Sequence, residues 1–263
     1  MFWRKLMGAA VVLAVLAGAS WLPAPADHAL PASTAPTAGW ARPAMEPPTT
    51  WPVAATDPVQ AVRGFFWSLG IAVAGQHGSR LLPGTASEGL FSRAYAYLAP
   101  GWQQRLPFAD FLRRWSLVRH LDLLAVLPAG AATDGPSHAR VFVEVRQLSA
   151  DGDGATPLCL CFAYAFFTTS ATPHGVRLSA GQLTPEDFAP APAGAQTADA
   201  AATAAARSVA AARGWSGGPS GAVRLTPRPH HQATADVAIG DHAVTVHLYE
   251  LASGAWIVLR SSV

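Results

Sequence analysis

The chain has 263 residues, enough for one large or two modest domains, and a 51% hydrophobic content can fill a core in each. Lys and Arg number 18 against 16 Asp and Glu, only 13% of the chain is charged, and the basic residues form no stripe along the sequence, which excludes an ordinary nucleic-acid-binding protein. Cys159 and Cys161 are its two cysteines, too few for a disulfide framework or a four-cysteine zinc site.

The first residues read Met-Phe-Trp-Arg4-Lys5, followed by an uncharged apolar run over 6–22. A basic start and a hydrophobic stretch are the pattern of an export signal, and small residues at Ala17-x-Ala19 and Ala24-x-Ala26 suit a signal peptidase. The same run is near the lower length limit for a bilayer span, so an uncleaved anchor with Arg4 and Lys5 in the cytoplasm stands beside cleavage. Either way the remainder is expected to be extracytoplasmic, secreted or tethered, with membrane contact through this segment alone. Residues 23–56, with prolines at 23, 25, 31, 36, 43, 47, 48 and 52, read as an extended tether unable to hold a core.

Asp57-Pro58 is a helix start, a capping carboxylate before proline at the first helical position. Val59, Val62, Phe66, Leu69 and Val73 then form one apolar stripe, predicting a helix to about His77 with Gly78 as its stop. A second helix is predicted over 88–98, ended by Pro100-Gly101, then a short turn at 102–106. A third opens at Pro107 with Phe108, Phe111, Leu112 and Trp115 inward. After Trp115 the period falls to 2, predicting strands over 117–127, 139–148, 158–169 and 176–183, joined as antiparallel hairpins because the gaps are too short for crossovers. In the second strand Val141, Val143 and Val145 share one face and Arg140, Phe142, Glu144 and Arg146 the other, which is expected to be wet. In the third, Leu158, Leu160, Phe162, Tyr164 and Phe166 oppose Cys159, Cys161, Ala163 and Ala165, the pattern of a strand buried on both sides. After a linker at 189–196, an alanine-rich helix is predicted over 197–213, then strands over 222–226, 233–239, 243–251 and 255–261. The fold class is α+β: three N-terminal helices on a curved antiparallel sheet over 57–188, with a C-terminal helix and strands over 197–263 as a smaller domain or an extension.

The run Asp57-Pro-Val-Gln-Ala-Val-Arg-Gly-Phe-Phe66, then Arg93-Ala-Tyr-Ala-Tyr-Leu-Ala-Pro100, then Phe108-Ala-Asp-Phe-Leu-Arg-Arg-Trp115, resembles the helical half of the nuclear transport factor two-like superfamily, which includes SnoaL-like and ketosteroid-isomerase-like domains. The segment from Val244 to Val258 is similar to the superfamily's final hairpin. The resemblance implies a cone-shaped α+β domain with an internal pocket, for which Tyr95, Phe111, Trp115, Phe162 and Tyr164 are the expected lining. It implies no particular activity, since the superfamily hosts enzymes, ligand binders and assembly domains.

Three residues are candidates for catalysis. His120 and Asp122 alternate onto one strand face, where a carboxylate can orient an imidazole as a general base, or both can lie on a solvated rim. Asp110 is a possible pocket acid, but it also sits in the first turn of its helix, where it favours the dipole. No catalytic residue of the ketosteroid isomerases maps onto the chain. Histidines 230, 231, 242 and 247 lack the spacing of a metal site, and Asp151-Gly-Asp-Gly154 is a turn without the later glutamate of a calcium loop, so no metal or cofactor is expected. Cys159 and Cys161 read as small buried thiols. The leading reading is a non-catalytic module binding a small apolar ligand or a partner protein at the cell envelope. An isomerase- or hydratase-type enzyme, and an assembly subunit resembling periplasmic conjugation or type IV secretion factors, are the alternatives.

Overall fold

In a computed structural model, residues 42–46, 55–76, 87–131, 138–149, 159–186, 197–220 and 222–263 are described, all within the compact unit Pro36–Val263. The apolar run at 6–22 and the linker at 189–196 lie outside them. Among the described residues no helix is long and apolar enough to cross a membrane.

Helix α1 (Pro58–Gln76) begins where the sequence says it should: Asp57 Oδ1 accepts the Gln60 N–H at 2.8 Å, with Pro58 next to the cap. Helix α2 (Ser87–Tyr95) stops three residues short of expectation. The cause is Pro100, which disfavours the α region for Ala99 and leaves it extended at ψ 150, so Leu98 pairs with Leu178 instead of continuing the helix. Pro100 is also a start and not a stop, opening the short helix α3 (Pro100–Arg105). Helix α4 (Phe108–Trp115) follows Pro107.

Two antiparallel sheets come next. In the first, β1 (Val118–Ala131), β2 (His138–Ser149), β3 (Cys159–Thr172) and β4 (Gly175–Ala180) lie in chain order, and the two-residue β5 (Thr184–Pro185) pairs with β3. Strand β1 has three register irregularities, including one beyond Pro128, which has no N–H for the ladder. The irregularity between Leu123 and Ala125 splits its side chains between the two faces: Leu121, Leu123 and Val126 join the helices, while Ala125, Leu127 and Ala129 join the opposite side.

The second sheet orders β6 (Arg224–Arg228), β7 (Gln232–Ile239), β8 (His242–Glu250) and β9 (Trp256–Ser262). Helix α5 (Ala198–Arg213) precedes it, capped by Thr197 Oγ1 on Ala200 N–H and ended by Gly214 at φ 68. Its buried stripe is Ala202, Ala206 and Ala210, small side chains that let the helix lie close on Val244, Val246 and Leu248. The protein is α+β, with helices on one face of each antiparallel sheet.

The core has three parts. Helices α1, α2 and α4 close over Val141, Val143, Val145, Ala163, Ala165 and Phe167. Helix α5 covers the second sheet. The third cluster corrects the expectation of a wet face: Phe142 is fully buried there, with Ala125, Ala129, Tyr249, Leu251 and Leu259. The C-terminal strands cover that side, which alternation in β2 alone does not reveal.

Candidate functional site

The helix-covered face of the first sheet is the expected pocket, and aromatic rings occupy it. Phe111, 1% exposed, has Phe65, Phe91, Tyr95, Phe108 and Trp115 around it at centroid distances from 5.3 to 6.5 Å. Phe66 and Trp102 extend the packing to Phe167. These are edge-on, tilted and stacked arrangements of the kind that fill cores. The Tyr95 hydroxyl donates to the Leu106 carbonyl at 2.8 Å and Gln103 Nε2 donates back to the Tyr95 carbonyl, so this tyrosine ties α2 to α3.

The five expected lining residues do not converge. Tyr95, Phe111 and Trp115 lie on the helix side, while Phe162 and Tyr164 belong by strand alternation to the other face of β3, where Tyr164 and Phe166 pack beside Phe142. The reason is local: in this part of β3 the small residues Ala163 and Ala165 face the helices, while Tyr164 and Phe166 take the opposite side with Phe142 and Tyr249. Of the two cysteines, Cys161 is half-buried.

The catalytic candidates sit apart from that interior. His120 and Asp122 do meet, Nε2 to Oδ1 at 2.7 Å, as their shared face implies. The other carboxylate oxygen of Asp122 is held by Arg146 through Nε at 2.9 Å and Nη2 at 2.6 Å, and the His120 side chain is 57% exposed. This is a His–Asp–Arg chain on strands β1 and β2 that opens to solvent at its His120 end. Asp110 is paired to Arg113 one turn along α4 on the surface. The histidines scatter: His230 and His231 make the β6–β7 turn at φ 58 and 60, His242 stacks on Trp215, and His247 stands in β8. No group of three metal-ligating side chains occurs among the described residues.

A polar cluster that the sequence did not reveal lies between the sheets. Glu144 is fully buried and accepts four hydrogen bonds: from Arg42 Nη1 at 2.9 and 3.1 Å, from the Tyr249 hydroxyl at 2.6 Å, and from Ala252 N–H at 2.7 Å. Arg42 Nη2 donates to the Glu250 and Leu251 carbonyls at 2.6 and 2.8 Å. Glu186 Oε2 accepts the Ser253 N–H at 3.0 Å, and its buried Oε1 has no hydrogen-bond partner among the described residues. Burial, and then the charge on Glu144, push the Glu186 carboxyl up to about 8; burial, and then Glu144, also raise Tyr249. A protonated acid beside a carboxylate is chemically an acid–base pair, yet each oxygen of Glu144 is already engaged. The cluster therefore acts as a clamp joining residue 42, β2 and the β8–β9 turn. Its signal in the sequence was faint: a glutamate among valines in β2, and an arginine alone in a proline-rich run.

No family model matches the chain, and no curated protein matches it. Among solved structures, one described as an "Ntf2 like protein involved in plasmid conjugation" is 11% identical, with a TM-score of 0.25, over 77% of this chain and 96% of that one. A likeness at that score carries no argument.

Proposed function

We propose that this protein is a non-catalytic module of nuclear transport factor two-like type, exported or tethered at the cell envelope, that works by binding a partner protein. The observation that carries this reading is the occupancy of the helix-covered sheet face by Phe65, Phe66, Phe91, Phe111 and Phe167, with His120, Asp122 and Asp110 all outside it. Packed rings favour a partner on the outside over a small apolar ligand on the inside. The basic, then apolar, then proline-rich N-terminal sequence supports the envelope address, whether cleaved or kept as an anchor. The conjugation- or secretion-type assembly role is the form of this reading in which the anchor is kept.

Two measurements test it. Isomerisation of a β,γ-unsaturated ketosteroid by the full chain is expected to equal the buffer rate; turnover abolished by His120→Ala would make it an enzyme. Native mass spectrometry of the purified full chain is expected to give the polypeptide mass alone. A retained small molecule lost in a Phe111→Trp variant would replace the partner reading with a ligand carrier.

A further inference from the structure

The two faces of the second sheet differ in kind. Ala233, Ala235, Val237, Ile239, Val244, Val246 and Leu248 line the face under α5. Alternation sends the intervening residues to the opposite face, and the strand register sets them in rows. Arg224, Asp236, Thr245 and Ser262 stand side by side across β6 to β9, and Thr226, Thr234, His247 and Arg260 form the adjacent row.

Arg224 and Arg260 stand in these rows, and Arg228, one position pair further along β6, reaches into them. Arg228 Nε donates to Thr234 Oγ1 at 3.3 Å, which leans its guanidinium inward from the edge strand toward His247. Arg260 is the register partner of His247 on the other side. His247 registers both neighbours: its pKa is lowered, first by burial and then by the charges of Arg260 and Arg228. Arg224, Arg228 and Arg260 are exposed, and among the described residues none of them forms an ion pair. The acid in the rows, Asp236, accepts the Thr245 hydroxyl at 2.8 Å. The basic surface continues at the corner with the first sheet. A Cβ on Gly130 of β1 would lie 3.6 Å from Arg260 Cβ, and Arg140 of β2, stacked on Phe166, falls in the register gap alongside Gly130.

From this arrangement we infer that the open face of the second sheet docks an acidic segment of a partner protein, with Arg224, Arg228 and Arg260 taking its carboxylates. The inference rests on the partner-binding reading above and gives the partner its chemistry. Charge complementarity supports it: unpaired cations gathered on one face lower their mutual repulsion when an anionic partner arrives. The cations are guanidinium groups, whose planar forks match carboxylates two bonds at a time, and Thr245 and Ser262 add hydroxyls between them. A lipid surface fits less well, because the rows hold no aromatic or branched aliphatic side chain to enter a bilayer. The exposed large apolar residues of the described chain, Leu117, Leu225 and Val263, lie off these rows.

The test is a fluorescence-anisotropy titration of labelled hexaglutamate with the full chain at low and at physiological salt. Saturable binding that weakens with salt is expected, reduced about tenfold or more in Arg228→Glu/Arg260→Glu. A charge-matched control on the exposed side of α5, Arg207→Glu/Arg213→Glu, is expected to bind within about twofold of the parent. Arg228→Gln/Arg260→Gln, with a thermal melt matching the parent, carries the same comparison should the reversal disturb folding. Three results overturn the inference: no binding, an equal loss in the α5 control, or capture by phosphatidylglycerol vesicles that depends on Arg228 and Arg260 while hexaglutamate stays free. These leave the non-catalytic reading standing, because turnover and retained mass decide that separately.

Discussion

Arg42 and Glu144, 102 positions apart in the chain, meet between the two sheets with Nη1 2.9 Å from Oε2, at 7% and 0% exposure. The pair is completed by Tyr249, by two backbone carbonyls and by the Ala252 N–H, so neither charge is left without partners. Removing one member of such a pair strands the other in a low-dielectric interior. Arg42→Ala is therefore expected to lower unfolding free energy by about 3–5 kcal/mol, and a loss under about 1 kcal/mol in a urea titration would show that residue 42 is a bystander. The double variant Arg42→Met/Glu144→Leu is expected to recover much of the loss, since it leaves no charge buried.

Glu186 gives the clamp a dependence on pH. Its carboxyl is pushed up from 4.5 to about 8, by burial first and by the charge on Glu144 second, so the folded protein holds this proton where the unfolded chain has released it. The resulting stabilisation is complete below about 4.5, declines as pH rises, and is gone above about 8. The difference in urea midpoint between about pH 5 and about pH 9 is expected to be smaller in Glu186→Gln than in the parent. Equal differences would place the proton elsewhere.

Local order was legible where local rules decide it. Asp57-Pro58 announces a helix because the cap and the missing N–H act within one turn, and the change of period after Trp115 announces strands because each strand carries its own alternation. What was not legible depends on a partner distant in sequence. Phe142 and Glu144 share a face that looks wet until β8 and β9 cover it, and Arg42 looks like tether until Glu144 and Tyr249 receive it. The basic face is of the same kind: Arg224, Arg228 and Arg260 form no run in the sequence, and only the register of β6 to β9 gathers them. Pro100 is ambiguous in sequence for a different reason, since proline suits both the residues after a helix and the first position of the next.

The sequence candidates separate by burial, and their substitutions should separate likewise. Phe111→Ala opens a hole among five rings and is expected to cost about 3–5 kcal/mol. His120→Ala removes a solvent-facing side chain whose carboxylate neighbour keeps Arg146, and is expected to stay within about 0.5 kcal/mol. Chemical denaturation of both variants checks the contrast, and a large effect of His120→Ala would mean that the surface chain carries structural weight.

Gly64 and Gly89 offer the same substitution in opposite surroundings. Alanine in a helix interior is worth about 0.8–1 kcal/mol over glycine through backbone entropy and propensity. At Gly89 in α2 a new Cβ meets nothing within 4 Å among the described residues, so Gly89→Ala is expected to raise the thermal midpoint by a few degrees. At Gly64 in α1 the Cβ would overlap the Tyr97 phenol, which is itself buried and whose pKa is raised by that burial. Overpacking outweighs propensity there, and Gly64→Ala is expected to destabilise by about 1–3 kcal/mol. The cause is checked by pairing it with Tyr97→Leu, which clears the ring: if the clash is the source, Gly64→Ala should cost less in the Tyr97→Leu background than in the parent, and an unchanged cost would point to the helix backbone instead.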